Sequence, residues 1–295
     1  GRIPKSRSCR PIGAPVGLTV ALAGVSASAG TRCAPNMPRR RNRNILVIGT
    51  SAGGLEALDQ LVGQLPGDLE AAIFVVQHMS PENSGDVLVD RLRKHRALGC
   101  KLVDHGEDFR SSTIYIARPD YHLLVKKRTL LVTKGARENR YRPGIDPLFR
   151  SAAVSHGARV VGVVLTGMLD DGTAGLIAIK SCGGVTVAQD PDDAAYPEMP
   201  TSAVKNAGVD YCVPIASMGQ LIESLVLAGP GRTVAPPANV RVEAKIAERV
   251  LSDVTEVNGL GDQVPYNCPN CGGVLWKIDH SGIQRYRCHT DHSLT

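Results

Sequence analysis

Aromatic residues are scarce in this chain: one Trp, three Phe and seven Tyr make up 4% of 295 residues, against 31 Gly. That balance suits a tightly wound α/β domain whose helices approach a sheet closely. No apolar run reaches the roughly 18 residues a spanning helix needs, which excludes membrane insertion. Acidic side chains are missing from residues 1–43, where nine of the 34 Lys and Arg residues sit; the other 25 face 28 Asp and Glu, a net of −3. The net charge of +6 is therefore a property of the leader, and no nucleic-acid partner is expected of the rest. Two glycine motifs are also absent. Neither a Gly-x-Gly-x-x-Gly fingerprint nor a Gly-Lys-Ser/Thr follows the first strand, which argues against dinucleotide and nucleoside-triphosphate binding. Finally, Cys9, Cys33, Cys100, Cys182 and Cys212 show no disulfide spacing, so a reducing, cytoplasmic compartment is expected.

What the chain does contain is a regular alternation. Apolar runs at 45–48, 72–76, 113–116, 160–165 and 185–188 read as strands, and amphipathic stretches at 55–64, 85–95, 147–156, 173–181 and 199–207 as helices. The fold class is α/β: a doubly wound, mainly parallel sheet. An antiparallel hairpin inserted in the sheet is expected between Thr113 and Thr133, where short runs are joined by Pro119-Asp120 and Lys126-Lys127-Arg128. Residues 1–43 loosely imitate a signal peptide but read better as a disordered basic leader or a start-site artefact, with Met37 the natural start. Residues 44–228 form the main domain, and the Gly- and Pro-rich stretch 229–237 closes it. A linker with a connector helix, about Val242 to Asp253, fills 229–264, and a cysteine module occupies 265–295.

Chemistry concentrates at three strand ends. Ser51 stands in Gly49-Thr50-Ser51-Ala52-Gly53-Gly54, a strand-to-helix turn whose small neighbours leave a nucleophile accessible. The same segment alone fits a structural or phosphate-binding glycine turn. His78 ends the run Phe74-Val75-Val76-Gln77, on the same sheet edge as Ser51 if the strands are parallel neighbours, within reach of its hydroxyl. Asp170 and Asp171 follow Val163-Val164-Leu165 and precede Gly172. Either could cap the next helix or hold the imidazole, and the sequence chemistry does not separate them. The order Ser, His, Asp differs from the Ser, Asp/Glu, His of α/β-hydrolases and argues against that fold.

Taken with Tyr115-Ile116-Ala117, Asp120-Tyr121-His122-Leu123-Leu124-Val125, Arg142-Pro143-Gly144-Ile145-Asp146-Pro147-Leu148-Phe149 and Thr166-Gly167-Met168-x-x-Asp171-Gly172, these segments resemble the catalytic domain of CheB-type chemotaxis protein-glutamate methylesterases over roughly Asn44 to Ala228. The resemblance implies a nucleophile at Ser51, a base at His78 and a carboxylate at Asp171, with no cofactor for catalysis. It implies hydrolysis of glutamate γ-methyl esters on the cytoplasmic helices of chemoreceptors, releasing methanol, and deamidation of glutamines, in contact with other signalling proteins. Backbone amides near the strand ends, those of His78 or Met168, would hold the oxyanion. Two departures stand out. Ala52 replaces a hydroxyl residue often found after the nucleophile, and the 43 residues ahead of the domain are too few for a receiver domain of about 120. The likeness is thus to the receiver-less branch. A catalytically idle scaffold and a small-molecule carboxylesterase are the rival readings.

Cys268, Cys271, Cys288 and His292 give C-x2-C, a gap of 16 and C-x3-H, a spacing that suits tetrahedral structural zinc. His289 is a competing ligand of poorer geometry, and a redox dithiol at Cys268 and Cys271 is the alternative. The module resembles a small zinc ribbon appended to some receiver-less methylesterases. It stops three residues after His292, so a truncated module is expected.

Overall fold

The computed structural model describes residues 43–248, 258–278 and 283–295. The leader reading for residues 1–42, and the part of the connector helix beyond Glu248, lie outside the described residues.

Seven strands form one parallel sheet: β1 (Ile45–Thr50), β2 (Ala72–Gln77), β3 (Gly99–Leu102), β4 (Thr113–Ile116), β7 (Val160–Val164), β8 (Val185–Gln189) and β9 (Tyr211–Val213), in spatial order β3-β4-β2-β1-β7-β8-β9. Every pairing in it is parallel. The chain lays strands outward from β1 through β2 to β4, then returns to place β7 against the other edge of β1. That reversal puts a crevice at the carboxyl ends of β1, β2 and β7, where open α/β sheets hold ligands.

The strands read as unbroken apolar runs because both faces are covered. Leu46 and Ile48 of β1, with Ile73 and Val75 of β2, pack against Leu58 and Leu61 of α1 (Gly54–Val62), Leu92 of α2 (Asp86–Arg93) and Ile222 of α6 (Ile215–Leu227). The alternate residues Ile45, Val47, Phe74 and Val76 face Leu148 and Phe149 of α3 (Ile145–His156) and Leu176 and Ile179 of α4 (Thr173–Ser181). Each such buried side chain contributes about 1.5–3 kcal/mol relative to exposure. The expected helix at 199–207 is α5 (Glu198–Ser202), continued by a π turn over Ala203–Ala207.

The hairpin exists but is not a member of the parallel sheet. Ile114–Ile116 joins that sheet as part of β4, whereas β5 (His122–Val125) and β6 (Leu130–Thr133) pair only with each other. The reason lies in α3: the Val125 N–H donates to Ser151 Oγ, Ser155 Oγ donates to the Val125 carbonyl, and Leu123, Val125 and Leu130 bury in the α3-side core. A helix thus satisfies the strand edge. The sequence reading assigned no element to β3, β9 or α6; the two strands are short sheet edges of four and three residues.

After the Pro-rich stretch, α7 (Ala238–Ile246) begins four residues before the expected connector helix, directly after Pro237, whose fixed φ suits a helix start. Glu243 on this helix is buried. The remaining strands, β10 (Asp262–Asn267), β11 (Val274–Ile278), β12 (Arg285–Cys288) and β13 (Ser293–Leu294), form an antiparallel four-stranded sheet in that order.

Candidate active site

Ser51 follows β1 directly. Its N–H donates to the Thr166 carbonyl at 3.1 Å, and its own carbonyl accepts from Gly54 N–H at 3.0 Å and from Gln77 Nε2 at 2.8 Å. Gly53, at φ +74°, turns the chain into α1 in a conformation side chains rarely adopt. Across the crevice, a Cβ on Gly167 would lie 2.9 Å from Ser51 Cβ and 2.2 Å from Met199 Sδ, so only glycine lets the β7 loop pass this close. The turn is therefore pinned from both neighbouring strands.

His78 follows β2. Its Nδ1 accepts from Ser51 Oγ at 3.1 Å and its Nε2 donates to Asp171 Oδ2 at 2.9 Å, the tautomer in which a lone pair faces the serine. The nitrogens are exchanged relative to the usual serine-protease arrangement, in which Nε2 faces the nucleophile. Tyr141 stacks on the imidazole with ring centroids 3.8 Å apart and planes 10° from parallel.

Asp171, 1% exposed, accepts from five N–H donors. Oδ2 takes His78 Nε2 and the Ile145 amide (2.8 Å); Oδ1 takes Asn139 Nδ2 (3.0 Å), the Gly172 amide (3.0 Å) and the Asp146 amide (3.3 Å). Burial opposes its ionisation, yet the His78 contact and these donors hold the carboxyl below the usual range. Asp170, by contrast, lies away from the imidazole: its side chain accepts from Thr295 Oγ1 at 2.8 Å.

Asp146 is a second buried carboxylate. Its Oδ1 accepts the amides of Gly172 (3.1 Å) and Gly175 (2.6 Å). Burial and the Asp171 charge push it up to about 7, against the pull of Arg150. A raised folded pKa means that between about pH 4, where the unfolded chain ionises, and about pH 7 the native state loses stability as pH rises, with no further change above. Asp146→Asn keeps an acceptor for the two amides and removes that cost. Its stability relative to the parent is expected to rise from pH 4 to 7 and then level off in urea titrations; a difference independent of pH would contradict this assignment.

The crevice is a cleft of 560 Å³ lined by Ser51, His78, Met168 and the guanidinium-bearing Arg137, Arg140 and Arg142. Met168 and Leu169 are about half exposed at its rim, and Leu169 holds φ +66° with its N–H on Glu198 Oε2. The Met168 N–H has no acceptor among the described residues. The His78 N–H, the other amide expected at an oxyanion, is excluded from that role because it donates to the Thr50 carbonyl at 3.1 Å.

The structure brings Ser51, His78 and Asp171 together, and it places around them Gln77, Asn139, Tyr141 and Asp146, to which the sequence reading gave no role. Gln77 and Asp146 carried a signal only as members of the segments that carry the family resemblance. Asn139 and Tyr141 sit in an irregular loop that has no periodicity.

The second cluster lies on the β10–β13 sheet and contributes no side chain to the lining of the ester cleft. One ligand atom from each of Cys268, Cys271, Cys288 and His292 lies within 4.8 Å of the others. Cys271 Sγ and Cys288 Sγ are 3.6 Å apart, and His292 Nδ1 is 3.4 Å from Cys288 Sγ and 3.8 Å from Cys268 Sγ. These spacings match the edges of a zinc tetrahedron with two kinds of ligand, about 3.5–3.8 Å. His289 is outside the cluster, its ring packed over Gly273.

Residues 46–222 match the family model for the CheB methylesterase. A Leptospira interrogans protein named protein-glutamate methylesterase/protein-glutamine glutaminase is 36% identical over 181 residues, 61% of this chain and 93% of the relative. A Methanosarcina mazei protein of the same name is 35% identical over 192 residues, 62% of this chain but only 52% of its own length. The crystal structure of the Thermotoga maritima CheB methylesterase catalytic domain superposes with a TM-score of 0.60 at 33% identity, covering 62% of this chain and 98% of that one.

Proposed function

The chain belongs to the CheB methylesterase family, a family of hydrolases, and on that premise we propose that Ser51, His78 and Asp171 demethylate glutamate γ-methyl esters on chemoreceptor helices. The observation that carries the reading is the continuous hydrogen-bonded line from Ser51 Oγ through the imidazole to Asp171. Neither an idle scaffold nor a small-molecule esterase finds support among the relatives.

In this reading His78 Nδ1 takes the Ser51 proton as Oγ attacks the ester carbonyl, and Asp171 stabilises the imidazolium that forms. The Met168 N–H, at a cleft-lining residue beyond the carboxyl end of β7, is the amide assigned to the developing oxyanion. The imidazolium then gives its proton to the departing methoxy oxygen as the C–O bond breaks, releasing methanol and leaving the acyl-enzyme. Water, deprotonated by His78, cleaves the acyl-enzyme and restores Ser51. With a carboxamide in place of the ester, the same steps release ammonia, the deamidation named for the relatives. The three guanidinium groups along the cleft suit a helix that carries further carboxylates beside the ester.

No described helix is long and apolar enough to cross a membrane. Cys100 and Cys182 are buried and not in disulfides, which supports a cytoplasmic site of action. Zinc held by Cys268, Cys271, Cys288 and His292 would cross-link β10–β13 and supply no chemistry to the ester. The decisive experiment is methanol release from methylated receptor membranes by the intact chain. Steady release, together with uptake of a serine-directed fluorophosphonate, is expected; release no faster than in buffer would sink the proposal.

A further inference from the structure

The loop of residues 137–141 touches two things at once. On one side it belongs to the ester site: Asn139 Nδ2 donates to Asp171 Oδ1, and Tyr141 covers the His78 ring. On the other it is fastened to the cysteine-bearing sheet. Asn139 N–H donates to the Ser293 carbonyl at 2.8 Å, Ser293 N–H donates to the Arg137 carbonyl at 3.4 Å, and Glu138 bridges Ser293 in parallel fashion. The Glu138 carboxylate is buried between Arg150 of α3 and Arg287 of β12, while Glu243 of α7 pairs with Arg285 of the same strand.

Within the loop, Asn139 and Arg140 hold φ +47° and +71° in succession. They are the central pair of a tight turn closed by hydrogen bonds from the Glu138 N–H to the Tyr141 carbonyl and from the Tyr141 N–H to the Glu138 carbonyl, a turn whose central residues are left-handed. His122 holds the chain on both flanks of the turn, its Nε2 donating to the Ala136 carbonyl and its Nδ1 accepting from the Gly144 amide. β12 and β13 hold the turn from its other side, through Ser293 and Arg287. The contacts they use are adjacent in sequence to the metal cluster: Arg287 precedes Cys288, and Ser293 follows His292.

We propose that Asn139 is a positioning residue for Asp171, and that zinc at Cys268, Cys271, Cys288 and His292 sets esterase activity by fixing the strands that brace its loop. The family model ends at residue 222, so this brace lies outside the stretch that defines the family. The proposal rests on the functional reading above, with Ser51 as nucleophile and the cysteine cluster as a metal site. Emptying the site frees β13, the 137–141 loop relaxes its left-handed turn, and the Asp171 carboxylate loses one of its five donors. The imidazole loses its stacking partner in the same movement.

The test compares the intact chain loaded with zinc, stripped by a chelator and reloaded, in two readouts. Amide hydrogen exchange across residues 136–143 is expected to quicken at least about tenfold on stripping, while β1, β2 and β7 keep their protection. Fluorophosphonate labelling of Ser51 should slow by roughly a hundredfold, the scale expected of an ångström-sized misplacement, and recover on reloading. Asn139→Gly in the loaded chain, which keeps the left-handed turn and removes only the side-chain amide, should show the same slow labelling with zinc content and loop exchange unchanged. Equal labelling and exchange with and without zinc overturns the proposal, as does a chain that binds no zinc. Exchange quickening throughout the main sheet overturns it too, because the ribbon would then hold the whole domain and not the loop. If the loaded chain takes up no label, the nucleophile assignment fails, while the exchange data still decide the brace.

Discussion

Ser51→Ala is expected to lower the turnover number for ester hydrolysis by about six orders of magnitude, the scale seen when a triad nucleophile is removed. The side chain is partly exposed at the cleft and packs against nothing that a methyl group cannot replace, so thermal stability should stay within about 0.5 kcal/mol of the parent. His78→Ala should fall nearly as far, and the double variant no further, since the two groups act as one unit in proton transfer. A small residual rate over buffer is expected from the Met168 amide and substrate binding alone. The measurement is methanol release under saturating substrate, with preparations checked by fluorophosphonate titration to exclude parent enzyme. A Ser51→Ala protein retaining even 1% of the parent rate would remove Ser51 from the mechanism.

Asp171→Asn is expected to cost about four orders of magnitude, through the tautomer and not through charge alone. Both carboxylate oxygens face only donors: His78 and Ile145 at one, Asn139, Gly172 and Asp146 at the other. An asparagine must point its NH₂ group at one of these sets. Turned toward His78, it requires an acceptor at Nε2, which moves the imidazole proton to Nδ1 and leaves no lone pair for Ser51. Turned the other way, it abuts three N–H groups in a buried space, each an unsatisfied donor costing about 1–3 kcal/mol. The variant should therefore lose stability as well as rate. The native carboxylate has a depressed pKa, so its contribution to stability is present above about pH 4, the unfolded value, and disappears as pH falls through the lower folded one. The stability gap between parent and variant should accordingly narrow in acid. A variant within tenfold of the parent in kcat/KM would show that His78 does not depend on Asp171.

The parallel sheet and its three reactive strand ends were legible in the sequence because their signals are local. An apolar run that ends in Gly-Thr-Ser or Gln-His marks both the strand and the edge at which it stops, and the order Ser, His, Asp separated this site from the α/β-hydrolases. The choice between Asp170 and Asp171 was beyond local chemistry. It depends on which carboxylate reaches the amino end of α3, and that helix begins 26 residues earlier than Asp171. The hairpin was visible as two strands, but its placement depended on Ser151 and Ser155, serines on a helix with no outward sign that they finish a strand edge. Nothing local marks Glu243 as buried, because its partner Arg285 lies 42 residues on. Asn139 was the least legible of all, since its purpose comes from Asp171 and Ser293 together.

The pairing of β1 with β7 joins Ile45 to Val160 and Gly49 to Val164, segments more than a hundred residues apart. Such a closure is entropically late, because everything between the two strands must already be ordered or looped out before the pair gains its hydrogen bonds. Ser51 and His78 come from neighbouring strands close in sequence, whereas Asp171 joins them only when β7 pairs with β1, the longer loop to close. Catalytic competence in a refolding chain therefore reports a single non-local event, the joining of the sheet's two halves, and it lags behind helix content and collapse by however long that joining takes.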